Sequence, residues 1–279
     1  MVPLKNTNVK TLKMIEDHFE MLENHQLSIN TMLLSKFVAF FEKQFEQWKQ
    51  DLGSVYDVVQ LLSDVQKTWS FLENLFIHSE EVKKELPEVS SQFVGIDKDM
   101  REVMTKGGDI KNILKFCTIE GMYKRLEKVE GELKVCEKAL NEFLDSKRKA
   151  FPRFYFVSVN DLLDILSNGN SPAKINKHMP KIFQAIENLD LDGSGDRPSA
   201  VGMKAVVGEE YVKLTEPLKL IGKVEIYLQE MIHAMQKTLR DITAASFKNQ
   251  QTMERKQWIE SDPAQVTILV NNVVTSNKI

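Results

Sequence analysis

The sequence predicts a mostly α fold, an elongated array of helical bundles with a small β-strand and hairpin insertion in its second half. Three observations carry this. Apolar residues recur at three- and four-residue spacing through the first 150 positions. One stretch, Met122, Leu126, Val129, Leu133, Cys136, Leu140 and Phe143, keeps a strict a/d alternation over about three heptads. After Phe151 the pattern shifts to short aromatic and β-branched runs separated by Gly, Asp and Ser. The chain accordingly reads as a long-helix bundle over 1–150, a mixed α/β segment over 151–221 and a C-terminal helical segment over 222–279.

In chain order, Ile15, Phe19 and Leu22 form a short helical stripe. Leu33, Leu34, Phe37, Phe40, Phe41 and Phe45 give an apolar face over 28–48. Gly53 predicts a stop, and Ser54 with Asp57 a new start by a variant of the capping box. The next helix carries Val58, Leu61, Leu62, Val65, Trp69, Leu72 and Phe76 on one side. Pro87 and Gly107-Gly108 predict further breaks. The a/d helix follows Gly121, with Glu120–Lys124 and Glu130–Lys134 as i,i+4 pairs. Such a seam needs a partner helix, and other helices of this half suit it better than a second copy of the chain.

The densest signal is Lys147-Arg148-Lys149-Ala150-Phe151-Pro152-Arg153-Phe154-Tyr155-Phe156. It reads as a cationic helix C-terminus complementing the dipole, then a buried strand over 154–157. A short helix follows, with Asn160 as N-cap, Asp161 at the positive end of the dipole and Gly169 in the left-handed C′ position. Helices are expected over 172–178 and 181–189, a turn over 190–199, and a small hairpin from strands at 203–207 and 211–214 with Glu209 and Glu210 between. A last helical part starts near Gly222 with Val224, Tyr227, Leu228, Met231, Ile232 and Met235 on one face. Asp262-Pro263 predicts an N-cap and first helical residue. The terminal helix is still apolar (Ile268, Leu269, Val273, Val274) when it reaches Ile279, as in a piece of something longer.

Composition excludes several classes. With 42% hydrophobic residues, 28% charged residues and a net charge of −3, the chain lacks the basic excess of a nucleic-acid binder. No apolar run approaches bilayer length and no signal-peptide core follows Met1, so a soluble cytoplasmic chain is expected, with neither nucleic acid nor membrane as partner. Cys117 and Cys136 are too few for a disulfide framework and suit reduced, buried thiols.

Chemistry is sparse. Asp190-Leu191-Asp192-Gly193-Ser194-Gly195-Asp196 imitates the opening of an EF-hand loop, but Val201 stands where the bidentate Glu belongs and Pro198 interrupts it. The five histidines, His18, His25, His78, His178 and His233, show no HExxH spacing. Gly222-Lys223 falls short of a phosphate loop, with Pro217 in place of the first Gly and Val224 in place of the magnesium-binding hydroxyl. No catalytic, cofactor or metal residues are assigned. The basic run with Arg153 also suits contact with an acidic surface.

Separated blocks, in order, resemble the linker region (N-terminal region 2) of dynein heavy chains, most closely axonemal outer-arm chains. They are Trp69-Ser70-Phe71-Leu72-Glu73-Asn74-Leu75-Phe76; Leu86-Pro87, Phe93 and Ile96-Asp97; Glu137-Lys138-Ala139-Leu140, then Asp145-Ser146-Lys147-Arg148 and Phe151 through Phe156; and Asp161-Leu162-Leu163 with Leu166. After these come Gly208-Glu209-Glu210, Gly222, Val224-Glu225 and Leu228, then Trp258 and Pro263-Ala264-Gln265-Val266. Tyr227 and Val274 stand where the family commonly has Trp. The resemblance implies an arch of helical bundles lying across a ring of AAA+ modules and ending before the first of them. It implies no cofactor in this segment, ATP and magnesium in the ring, and straightening of the linker as the power stroke. The partners implied are that ring, other dynein chains and microtubules, in the cytoskeleton of a ciliary axoneme. Glycines at 107–108 and 193–202 are the expected flexible zones. The competing reading is a stand-alone scaffold that takes partner helices along the a/d seam.

Overall fold

A computed structural model describes residues 2–3, 10–193, 198–208 and 210–276. The chain divides into two compact units, Met1–Glu142 and Phe143–Ile279, and the fold is mostly α with a small antiparallel sheet in the second unit.

In the first unit, β1 (Val2–Pro3) pairs with β2 (Lys10–Thr11). Helices α1 (Glu16–Leu33), α2 (Glu42–His78), α3 (Glu80–Glu85), α4 (Pro87–Ile110) and α5 (Ile113–Cys117) follow. Helix α6 (Met122–Ala150) carries the unit boundary along its length. The core lies where α2, α4 and α5 meet: Val58, Leu62, Val65, Trp69, Leu72 and Phe76 face Phe93, Ile96, Met100 and Val103, with Phe76 stacked on Phe93 at 5.2 Å. Gln66 clasps the backbone of Leu12, accepting from its N–H at 2.7 Å and donating to its carbonyl at 2.9 Å.

Three expectations for this unit are corrected. Helix α2 runs through Gly53 and Ser54 without a stop, because one helical Gly costs only about 1 kcal/mol against Ala, and the stripe from Val55 to Phe76 outweighs that by burial. The expected face over 28–48 is not continuous. Helix α1 ends at Leu33, and a 3-10 helix, Val38–Phe40, leads into α2. Ser35 Oγ accepts from the Phe37 N–H there, a local bond that competes with helix continuation. Leu34, Phe37 and Phe40 are left almost fully exposed. Gly107-Gly108 lies inside α4, and the turn falls at Lys111, which takes the left-handed conformation at φ 54°. The a/d helix is present as expected, all seven seam residues buried, with Glu130–Lys134 ion-paired at 2.7 Å.

In the second unit the end of α6 leads to a 3-10 helix, Pro152–Phe156, then to α7 (Val159–Ser167), α8 (Pro172–Ile175), a 3-10 turn Asn176–His178 and α9 (Met179–Ile182). Strands β3 (Ile186–Asp192), β4 (Ser199–Ala205) and β5 (Tyr211–Lys219) form an antiparallel sheet in that order. Helices α10 (Val224–Thr252), α11 (Arg255–Ser261) and α12 (Ala264–Ser276) complete the unit. Helix α10 packs on β5 and on α12, and Thr238 Oγ1 accepts from the Thr215 N–H at 3.1 Å. Met235 and Thr238 continue the face begun by Val224, Tyr227, Leu228 and Met231.

The strand expected at 154–157 is a 3-10 turn. Phe154 N bonds Phe151 O and Val157 N bonds Phe154 O, so residues 151, 154 and 157 share one buried side. A three-residue repeat eclipses side chains in a 3-10 helix, whereas a strand would bury alternate residues. The helix expected over 181–189 stops at Ile182. Asn176 replaces helical bonding at Leu189, donating to its carbonyl at 2.9 Å and accepting from its N–H at 2.7 Å, and so fixes β3 beside the 3-10 turn. The expected hairpin exists as β4 and β5, each longer than expected, with β3 as a third strand. Glu209 between them lies outside the described residues. The Tyr211 ring covers Gly202 so closely that an added Cβ would fall 2.7 Å from its Cε2, and its hydroxyl donates to Asp190 Oδ2 at 2.8 Å.

Two caps also differ. Ser158, not Asn160, caps α7, its Oγ accepting from the Asp161 N–H. Gly169 does not adopt positive φ, because Asn168 closes the helix by donating to Asp164 O at 2.8 Å. Helix α12 starts one residue late, and its Ala264 N–H is taken at 2.6 Å by the carboxylate of Glu210, 54 positions away, leaving Asp262 no capping role.

Candidate functional site

The residues quoted from the sequence gather into three clusters, two of them in the second unit. The largest is built around the end of α6 and the 3-10 turn. The rise of the helix brings Lys147 beside Glu225 at the first turn of α10, Nζ to Oε1 3.1 Å, with both side chains about nine-tenths buried (11% and 10% exposed). The same ammonium lies 5.5 Å from the Phe143 ring. Arg148 bridges Asp145 at 3.1 Å and stacks over Tyr155, 5.7 Å from its centroid. Phe151 and Phe154 are fully buried edge to face, 4.8 Å apart. Arg153 donates to Ile182 O at 3.2 Å and lies over the Phe183 ring. Pro152, Tyr155 and Phe156 face solvent. Leu162, Leu163 and Leu166 bury the inner face of α7. Of the two departures from the family pattern, Tyr227 is fully buried and donates to Gly169 O at 3.2 Å, and Val274 packs against the Trp258 cluster.

That cluster sits at the other end of the unit. Trp258 packs with Val266 and Val270, and its Nε1 donates to the buried Ser246 Oγ at 2.8 Å. Gln265 is exposed on α12. In the first unit, Trp69 is fully buried and donates to Asp97 Oδ1 at 3.0 Å. Arg101 ties the same carboxylate (2.7 Å) to Glu73 (2.9 Å), its guanidinium 5.8 Å from the Trp69 centroid. Leu72 and Phe76 complete that core on α2.

One ionic group was not singled out from the sequence. Asp161 and Asp164 sit one turn apart on α7 and face the segment carrying Lys177, His178 and Lys181. Lys181 reaches Asp161 at 2.7 Å and Lys177 reaches Asp164 at 2.8 Å. The buried His178 ring places Nε2 2.7 Å from Asp164 and Nδ1 3.6 Å from Asp161. The legible signal was the pair of spacings, carboxylates at i,i+3 and lysines at i,i+4. Hydrogen bonds from Lys181 and Ser158 hold the Asp161 carboxyl below its usual range, and those from Lys177 and His178 do the same for Asp164. The folded chain therefore binds fewer protons here than the unfolded chain, and the contribution is complete above the ordinary carboxylate range near pH 4. It is lost as pH falls through the lowered folded values. In urea unfolding at pH 6 and pH 3, the midpoint gap between the parent chain and Asp161→Asn/Asp164→Asn is expected to shrink at pH 3. An equal gap at both pH values would refute this.

Catalytic chemistry finds little footing. Among the described residues no group of three or more His, Cys, Asp or Glu could hold a metal ion. The Asp190 carboxylate is engaged by Tyr211, and Ser194, Gly195 and Asp196 of the EF-hand-like stretch lie outside the described residues. Gly222 adopts positive φ and Lys223 precedes α10, but Pro217 and Val224 deny the turn the first glycine and hydroxyl that a nucleotide phosphate requires. An open, largely apolar cavity of about 330 Å³ beside Leu62, Val103, Met104, Ile113 and Phe116 has Lys111 as its one titratable lining residue, with no carboxylate, imidazole or thiol beside it. Both cysteines are buried. Burial pushes the Cys117 thiol up to about 11 and that of Cys136 in the same direction. Among the described residues no helix is long and apolar enough to cross a membrane.

The profile of the dynein heavy chain N-terminal region 2 matches residues 1–246. The chain is 44% identical over 273 residues, 96% of its length, to the flagellar outer-arm dynein alpha chain of Chlamydomonas reinhardtii. It is 38% identical over 274 residues, 97% of its length, both to human dynein axonemal heavy chain 9 and to the ciliary dynein beta chain of Tripneustes gratilla. It spans 6% of the length of each of these relatives. With both units helical and the similarity running through nearly all of them, the chain belongs to the dynein heavy chain family, in its N-terminal region 2.

Proposed function

We propose that this chain is the mechanical linker of an axonemal outer-arm dynein heavy chain. It bends and straightens across the AAA+ ring of the same heavy chain and delivers the power stroke for movement on microtubules in a cilium. ATP and magnesium act in the ring, and the linker itself is not catalytic. The observation that carries the reading is the 44% identity to a flagellar outer-arm dynein over 96% of the chain. The physical character of the chain suits the role, since a lever needs packed elements with discrete arrangements that ligand binding elsewhere can bias. The core around Trp69 and the buried pair of Lys147 with Glu225 are packed elements of the sort such a lever could use. The scaffold alternative needs an open a/d seam, and the chain itself buries that seam.

The test uses the full-length heavy chain. Removing residues 1–279 is expected to abolish microtubule gliding while ATP hydrolysis continues, and the isolated chain is expected to hydrolyse no ATP. Unchanged gliding after the deletion, or turnover by the isolated chain, would exclude the reading.

A further inference from the structure

Asn168 is followed by Gly169, the one Asn-Gly pair in the sequence. An asparagine side chain can close on the next backbone nitrogen to form a succinimide, and glycine, with no Cβ beside that nitrogen, hinders the closure least. The pair ends α7, and the fold opposes the reaction at each atom it needs. Asn168 Nδ2 donates to the Asp164 carbonyl at 2.8 Å and to Asp164 Oδ1 at 3.0 Å, which turns the side chain back along the helix. The Gly169 N–H donates to Leu166 O at 3.2 Å, and the Tyr227 hydroxyl, reaching across from α10, donates to Gly169 O at 3.2 Å. The glycine is thereby held at both of its backbone polar groups. Asn168 has ψ 16°, which sets the Gly169 nitrogen far from Cβ about the Cα–C bond. Closure needs the two nearly eclipsed, a rotation of more than a quarter turn into sparsely allowed backbone.

We propose that Asn168-Gly169 is a deamidation site latched shut by the native fold, which reacts when the end of α7 opens and cannot then be latched again. In the first step the Gly169 nitrogen gives up its proton and bonds Asn168 Cγ. The Cγ–Nδ2 bond breaks, and ammonia leaves with that proton. Water then opens the succinimide at either carbonyl, leaving aspartate or isoaspartate at position 168, with no change of oxidation state. The product has lost both donors of the latch and gained a negative charge. Its carboxylate meets the Asp164 carbonyl and Oδ1 as acceptor against acceptor, with two like charges at hydrogen-bond range. Asp164 is also the group whose Oδ2 holds Lys177 at 2.8 Å and His178 at 2.7 Å. The altered residue therefore loosens the contact of α7 with the segment that follows it, and local opening of this turn sets how fast the alteration accumulates.

The experiment incubates the chain, folded and in guanidinium chloride, at the same neutral pH and temperature. Peptide mapping by mass spectrometry follows the conversion at position 168, with aspartate and isoaspartate separated by chromatography. The folded chain is expected to react slower than the unfolded chain by about tenfold or more, the factor that about 1.4 kcal/mol of opening free energy imposes. Tyr227→Phe keeps the ring and loses the bond to Gly169 O, and Asp164→Ala removes the Oδ1 acceptor. Both are expected to react several-fold faster than the parent while circular dichroism reports a folded chain. Should Asp164→Ala not fold, Tyr227→Phe decides alone. The deamidated chain is expected to unfold at a lower denaturant midpoint than the parent. Equal rates in the folded and unfolded chains would overturn the proposal. So would a folded Tyr227→Phe that reacts at the parent rate, or a deamidated chain that keeps the parent midpoint.

Discussion

Replacing Trp69 by alanine is expected to destabilise the first unit by about 3–5 kcal/mol, the cost of emptying a large, fully buried aromatic site. The change also removes the indole N–H from Asp97 and the ring face from Arg101, loosening the link between α2 and α4. Trp69→Phe separates the contributions. It keeps most of the apolar volume and loses the hydrogen bond to a carboxylate, worth about 1.5–3 kcal/mol, while Arg101 still holds Asp97 at 2.7 Å. Urea unfolding followed by circular dichroism should rank the parent chain above Trp69→Phe and that above Trp69→Ala. Equal losses in both variants would show that packing contributes nothing beyond the hydrogen bond.

The second large effect belongs to Lys147 and Glu225. Two charges about nine-tenths buried and 3.1 Å apart make a weak net stabiliser as a pair, but each becomes a severe liability alone. Lys147→Met leaves the Glu225 carboxylate uncompensated and is expected to cost about 3–5 kcal/mol, and Glu225→Leu the same from the other side. The double variant is expected to recover most of the loss, because two apolar side chains of similar size pack where the charges were. Unfolding midpoints of the four proteins form a double-mutant cycle. Strict additivity, with the double variant worst of all, would mean that the two residues act independently.

The fold was most legible where apolar spacing and burial coincide. The a/d repeat of α6 and the stripe from Val58 to Phe76 needed no information beyond period, because a helix face covered by neighbours must be apolar throughout. Legibility failed where one side chain far away in sequence decided a local conformation. Nothing near Leu189 announces a strand; the amide of Asn176, 13 residues earlier, supplies its partners. Nothing near Ala264 says that its N–H is capped by Glu210. The aromatic turn at 151–156 misled because a dense run of aromatic residues imitates a buried strand, and the choice between repeats of two and three depends on what lies beneath. The candidate site was legible in its residues, which resemblance selected, but not in its arrangement. Pairing of Lys147 with Glu225 spans 78 positions, and the outward turn of Tyr155 and Phe156 follows from a 3-10 geometry that the aromatic run disguised.

The two cysteines carry a practical consequence. A thiol with a pKa of about 11, as at Cys117, is thiolate to only about one part in a thousand at pH 8, and Cys136 is shifted upward as well and fully enclosed. Maleimide and iodoacetamide dyes react through the thiolate, so the native chain should remain dark under ordinary labelling conditions. A single cysteine introduced at an exposed position such as Gln265 would then take up dye alone, and the chain can carry fluorescent reporters of its own movement with both native thiols left in place.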